Sequence, residues 1–175
     1  MEARRSSLEL LLDERAEAQV RALWRALADA GLSSLARHEA PSNRPHVTLL
    51  ALAGLSADAA PQDVPLPVPL VLGPPLLMGE GDRRVLALAI VPSAELLALQ
   101  RQVRQAAGGD DAQQDPHFAA GRWLPHVTLA RRLRLADAAQ ALALMGPSIE
   151  AHAVALRHWD PETATITTIA SAPAS

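Results

Sequence analysis

Cysteine, lysine and tyrosine are all missing from the 175 residues, and the aromatic side chains amount to three Trp and one Phe. Without cysteine there is neither a thiolate metal cluster nor a thiol nucleophile. Without lysine there is no P-loop lysine, no Schiff base and no lysine adenylate. The lack of tyrosine removes a tyrosyl nucleophile, and four aromatics are too few for a sheet that stacks bases on paired rings. An excess of basic charge is lacking too: 16 basic residues stand against 19 acidic ones, a net charge of −3. A general nucleic-acid coat, which relies on counterion release from many phosphate contacts, is therefore not expected. A small anionic substrate remains open, and all the basic residues are arginine, which suits bidentate phosphate recognition. The Ala/Leu/Arg-rich text nevertheless reads first as composition bias.

Long apolar runs are also scarce. Leu8 to Leu12 is stopped by Asp13 and Glu14, and Val64 to Met78 is interrupted by Pro65, Pro67, Pro69, Pro74 and Pro75. Neither makes a signal peptide or a bilayer span, so a cytoplasmic protein with no membrane partner is expected. An apolar fraction of 49% against 20% charged residues is that of a globular chain able to bury a core without disulfides or metal.

What is present is a repeat. Pro45-His46-Val47-Thr48-Leu49 returns unchanged 80 residues later as Pro125-His126-Val127-Thr128-Leu129. Before the first copy, Ser7 to Leu12 reads as a strand and Asp13 to Ala30 as a helix closed by Gly31. Before the second, Val85 to Val91 reads as a strand, and Ser93 caps a helix through Ala107 that stops at Gly108-Gly109. Downstream, Ala57-Asp58-Ala59-Ala60 matches Ala136-Asp137-Ala138-Ala139, and each is followed by a β-like stretch. Val64 to Leu72 suits an edge strand, because proline cannot donate to a ladder. Glu150 to Trp159 and Thr163 to Ala170 form a hairpin about Asp160-Pro161.

The expected fold is α+β: one bilobal, internally duplicated domain over 1–175, with halves of roughly 1–80 and 81–175. Each lobe is a small, mostly antiparallel sheet backed by helices, and a central cleft lies between them. The Gly108 to Arg122 connection, carrying His117 and Phe118, is either a flap over that cleft or a solvated link.

In a strand, side chains two apart share a face. His46 and Thr48 therefore project together, as do His126 and Thr128, while Val47, Leu49, Val127 and Leu129 anchor the strands from behind. Brought together by a pseudo-twofold axis, two imidazoles would flank one phosphorus centre. One neutral ring can take a proton from a nucleophile and one charged ring can give a proton to a leaving oxygen. The threonine hydroxyls can donate to the non-bridging oxygens. A single copy would read as an ordinary amphipathic strand, but two identical copies in equivalent places do not.

These residues resemble the two-histidine (2H) phosphoesterase superfamily, whose signature is two H-x-T/S-x motifs in a bilobal, LigT-like fold. Within it, Arg122-Trp123-Leu124-Pro125-His126-Val127-Thr128-Leu129-Ala130-Arg131 is similar to the block of the bacterial 2'-5' RNA ligase and RNA 2',3'-cyclic phosphodiesterase branch. The resemblance implies a metal-independent phosphodiesterase for RNA 2',3'-cyclic phosphates or 2'-5' linked nucleotides, with 2'-5' ligation as the reverse reaction and no cofactor. It makes His46 and His126 the acid/base pair and Thr48 and Thr128 the phosphate holders, with Arg131 as a phosphate contact. The implied partner is an RNA 3' end or a small nucleotide, met by a monomer.

Strict alternation from His126 points Arg132, rather than Arg131, into the cleft, and places Arg44, two before His46, on the cleft face of one lobe. Phe118 and Trp123 are the candidates for stacking a base. His117 with His126, or His152 with His158, lack metal-ligand spacing and acidic company, and lone histidines in strands are usually structural. A reading of another class, a module that binds an RNA end or nucleotide without turning it over, needs the same cleft.

Overall fold

The computed structural model describes residues 5–108 and 116–173. Strand β1 (Ser6–Leu12) leads into helix α1 (Glu14–Asp29), and β2 (His46–Leu52) and β3 (Val68–Met78) follow. The order repeats with β4 (Arg83–Ile90), α2 (Ala94–Ala106) and β5 (His126–Arg134), before the short α3 (Ala138–Ala143), β6 (Ile149–Asp160) and β7 (Thr165–Ser171). Every strand pairing is antiparallel. The α+β class expected from the sequence is therefore correct.

Both long helices begin where the sequence places a cap. The Asp13 carboxylate accepts from the Ala16 amide at 2.9 Å and the Ser93 hydroxyl accepts from the Leu96 amide at 3.1 Å, which satisfies backbone donors that the first turn leaves unpaired. After α1, Gly31 takes a φ of 75°, the left-handed conformation that glycine adopts without a Cβ penalty. Ala16, Val20, Trp24 and Leu27 bury one face of α1, and Leu96, Leu99 and Val103 bury one face of α2.

The sheet runs β1-β2-β5-β4-β3-β6-β7, and β1 pairs in addition with β6. β1 lies between β2 and β6, and β4 lies between β5 and β3, so β6 joins the first motif's strands and β3 the second's. The helices cross over in the same way: α1 packs on β5 and β6, and α2 on β2 and β3. The two motif strands meet at one registered pair, Val47 with Val127.

Three segments differ from expectation. β3 runs from Val68 to Met78 rather than from Val64 to Leu72, and it is not an edge strand: its first half pairs with β6 and its second half with β4. Pro74 and Pro75 fall where the ladder shifts register between Leu72 and Pro75, an irregularity of the kind at which sheets accommodate proline. The helix α3 goes unrecognised in the sequence because it is only six residues long. Of the Gly108 to Arg122 connection, 109–115 (with Asp110 and Asp111) lie outside the described residues, and Pro116–Phe118 form a single 3-10 turn.

Candidate active site

The motif strands alternate as their composition dictates. Val47, Leu49, Val127 and Leu129 are buried, while His46, Thr48, His126 and Thr128 are half-buried on the other face. An antiparallel register centred on Val47 and Val127 sets His46 across from Thr128 and Thr48 across from His126. One histidine and one threonine from each repeat thus come together where the two strands join.

The rings are held alike. His46 Nδ1 lies 2.7 Å from the Arg44 carbonyl oxygen, and His126 Nδ1 lies 2.8 Å from that of Leu124. A carbonyl only accepts, so Nδ1 carries the hydrogen in both rings and Nε2 is left as the reactive atom. Burial holds His126 below the usual histidine range. The hydrogen bond to Leu124 opposes this, and the charge on His46 adds to the lowering.

Few backbone bonds join β2 to β5, and side chains take over. Trp24 on α1 donates its indole N–H to the Thr128 carbonyl at 3.1 Å, and Trp123 donates to the Thr48 carbonyl at 3.1 Å. Gln100 on α2 donates to the carbonyls of Leu49 and Phe118 at 3.3 and 3.0 Å. The main-chain oxygens beside both threonines are thereby satisfied, which fixes the strands without occupying the face that carries the histidines.

A cavity of about 300 Å³ opens beside His46, lined among others by Glu9, His38, Asn43, Arg131, Arg157 and Trp159. Arg131 thus shares a cavity with His46, though not with Thr48, His126 or Thr128, whereas Arg132 lines a separate cavity with Arg37, Arg83 and Arg134. Strict alternation fails here for a physical reason. The β4–β5 register shifts once after Thr128 and again beyond Ala130, and Arg132 takes a left-handed φ of 71°, so the two arginines diverge. The first shift has a counterpart in β2, where Glu9 pairs with Thr48 but Leu8 with Leu50.

Arg44 does not reach the cavity beside His46. Its guanidinium lies 2.6 Å from the Glu17 carboxylate, which Arg21 also holds, and the two arginines pull that carboxyl below its usual range against the opposing effect of burial. Trp123 is partly buried against the core, with its N–H committed to Thr48. Phe118 also packs on the core. His158 is buried with Nε2 2.8 Å from the Leu55 carbonyl oxygen, a structural histidine. Among the described residues no group of three or more His, Asp or Glu is placed to hold a metal ion. No helix among them is long and apolar enough to cross a membrane.

Sequence reasoning missed Glu9 and Arg157. They are registered partners on β1 and β6, both buried, and Arg157 Nε and Nη2 each lie 2.8 Å from Glu9 Oε2. The available signal was an acid inside the apolar strand Leu8-Glu9-Leu10-Leu11 and an arginine inside β6, since buried charges persist only when paired.

Comparison with known proteins matches a family model described as the 2'-5' RNA ligase superfamily to residues 51–171, a span that contains the second motif and begins just past the first. Among solved structures, TT0787 of Thermus thermophilus is similar at 20% identity and a TM-score of 0.60, covering 94% of each chain. E. coli LigT in apo form is similar at 18% identity and 0.54, covering 96% of this chain and 95% of its own. Kluyveromyces marxianus Usb1 follows at 13% and 0.51, with 95% and 98% covered. No curated protein matches. At these identities the likeness is one of fold.

Proposed function

We propose that this chain, which belongs to the 2'-5' RNA ligase superfamily, is a metal-independent phosphodiesterase that opens RNA 2',3'-cyclic phosphates or cleaves 2'-5' linked nucleotides. Ligation is the same chemistry run backwards. The observation that supports this reading is the junction of β2 and β5 at Val47 and Val127, which puts two rings with the same Nδ1 anchor on one face of adjoining strands.

In hydrolysis of a cyclic phosphate, one Nε2 takes a proton from water as the water oxygen bonds to phosphorus. The bond from phosphorus to the leaving ribose oxygen breaks, and that oxygen takes the proton from the other Nε2. Thr48 and Thr128 donate to the non-bridging oxygens, and Arg131, lining the cavity beside His46, adds a guanidinium to the same charge. Neither lysine nor ATP is required, in keeping with the composition. The substrate is an RNA 3' end or a small nucleotide, and the enzyme works as a single bilobal unit with halves of roughly 1–80 and 81–175 in the cytoplasm.

The test is turnover of a cyclic-phosphate-ended oligonucleotide in EDTA, with the product phosphate located by phosphorus NMR. Turnover that survives the chelator supports the reading. Turnover that disappears in EDTA and returns with a divalent ion would sink it.

The pH profile follows from the coupled pair. Activity needs one ring neutral and one charged, so it falls on the acid side when both are charged and on the basic side when both are neutral. Because His126 is held below the usual histidine range, the acid limb of kcat/KM should lie below pH 6.5, the ordinary value. A limb at or above that value would contradict the lowering of His126 by its surroundings.

A further inference from the structure

His46 and His126 are matched in the proline before them, the carbonyl that anchors Nδ1, and the register shift that follows their threonines. They differ in what stands across the ladder. The residue paired with Thr48 is Glu9 on β1, whereas the one paired with Thr128 is Ala87 on β4. Glu9 is only 4% exposed and its Oε1 lies 3.6 Å from His46 Nε2. The Ser7 hydroxyl donates to that same oxygen at 2.6 Å, and the buried Arg157 holds the other. Arg157 also donates to the Ser42 carbonyl, so the guanidinium is fixed from two sides.

We propose that Glu9 is the positioning residue that gives the two histidines different tasks: it stands beside the Nε2 proton of His46, so that His46 donates to the leaving oxygen and His126 takes the proton from water. The assignment rests on the phosphodiesterase reading above. The other charged or titratable groups lining the cavity beside His46 are Arg157 on β6, Arg131 on β5 and His38 in the loop before β2, and His126 stands on the adjoining strand. Glu9 is the single acid among the described residues that line this cavity. A charged His46 ring therefore has one carboxylate to lean on, and that carboxylate is locked by Ser7 and Arg157. Across the junction, Ala87 offers His126 nothing, and burial already disfavours charge on that ring. After each turnover the proton on His126 returns to His46 through solvent, which restores the starting state.

Glu9→Gln keeps the shape of the side chain and removes its charge. Nitrogen-detected titration of the histidine rings in the full chain, assigned with His46→Gln, reads the effect without substrate. His46 should titrate lower in Glu9→Gln than in the unaltered chain, the direction that loss of an adjacent opposite charge gives, while His126 stays in place. The basic limb of kcat/KM should shift by the same amount, the acid limb should hold, and the change should appear in kcat rather than KM. An unmoved His46, or a moved acid limb, overturns the proposal.

Should Glu9→Gln fail to fold, the unaltered protein still decides the matter. The Glu9 carboxylate carbon resonance should step at the pH where His46 titrates and not where His126 does; a step at neither, or at His126, overturns the proposal. Wild-type protein inactive on every cyclic phosphate would overturn the catalytic roles, while the ring titration would still decide whether Glu9 tells the two histidines apart.

Discussion

Replacing either His46 or His126 with alanine should lower kcat/KM on a 2',3'-cyclic phosphate by about 10²- to 10⁴-fold, the range measured for loss of a positioned general acid or base. The fold should survive both changes, because each ring is half-buried at the surface of its strand while Val47, Leu49, Val127 and Leu129 carry the burial. Unfolding curves run beside the kinetics separate the two effects: a large rate loss at nearly unchanged denaturation midpoint is the expected pattern. The double variant should be scarcely worse than the slower single one, because two groups moving protons in one step act as a unit. Full activity in either single variant would remove that ring from the mechanism. A wild type that turns over no cyclic phosphate, with a double variant that still binds an RNA end tightly, would instead favour the binding-module reading.

The elements that sequence made legible are those governed by local rules. Asp13 and Ser93 announce helix starts because a short oxygen-bearing side chain satisfies amides that nothing else can reach, and both do so in the structure. The His-Val-Thr-Leu alternation announces a strand with one buried face, and the burial pattern follows it as far as Leu49 and Leu129. It fails one residue later in both strands. Leu50 and Ala130 are buried next to buried neighbours because each ladder carries an extra residue there, and nothing in an apolar pair of letters distinguishes a bulge from plain continuation. The misdirection of Arg132 is the direct consequence. Arg44 failed differently: its phase in the strand is set by His46, but its guanidinium is long enough to turn to Glu17 on α1, a partner 27 residues away.

Glu9 and Arg157 stayed hidden for a third reason, which is distance along the chain. Their pairing needs β6 to lie against β1, and 148 residues separate the two. A sequence read half by half assigns β3 and β6 each to its own half, whereas the chain exchanges them. The charge beside His46 is thus a product of topology, contributed by a strand of the first repeat and locked by a strand at the far end of the second. The functional asymmetry of two otherwise identical motifs is invisible in the motifs themselves.

Trp24→Ala should destabilise the chain by about 3–5 kcal/mol, the usual cost of emptying a large aromatic site from a core, and should do so at the active site's expense. The side chain is 2% exposed and packs in the main apolar cluster, so its removal leaves a cavity under α1 that the neighbouring strands cannot close. Its N–H is also the partner of the Thr128 carbonyl, and β2 supplies β5 with only the Val47–Val127 pair at that point. Trp24→Phe isolates the second contribution. It keeps most of the volume but strands a partly buried carbonyl, at a cost of about 1–3 kcal/mol. Because that carbonyl belongs to the threonine opposite His46, the phenylalanine variant should lose kcat as well as stability. Trp123→Phe, which strands the Thr48 carbonyl opposite His126, should show the same paired loss. Chemical denaturation together with steady-state kinetics on the two phenylalanine variants checks this. A drop in stability with kcat untouched in both would mean that the indoles hold the core alone, and that the strands carrying the histidines keep their alignment without them.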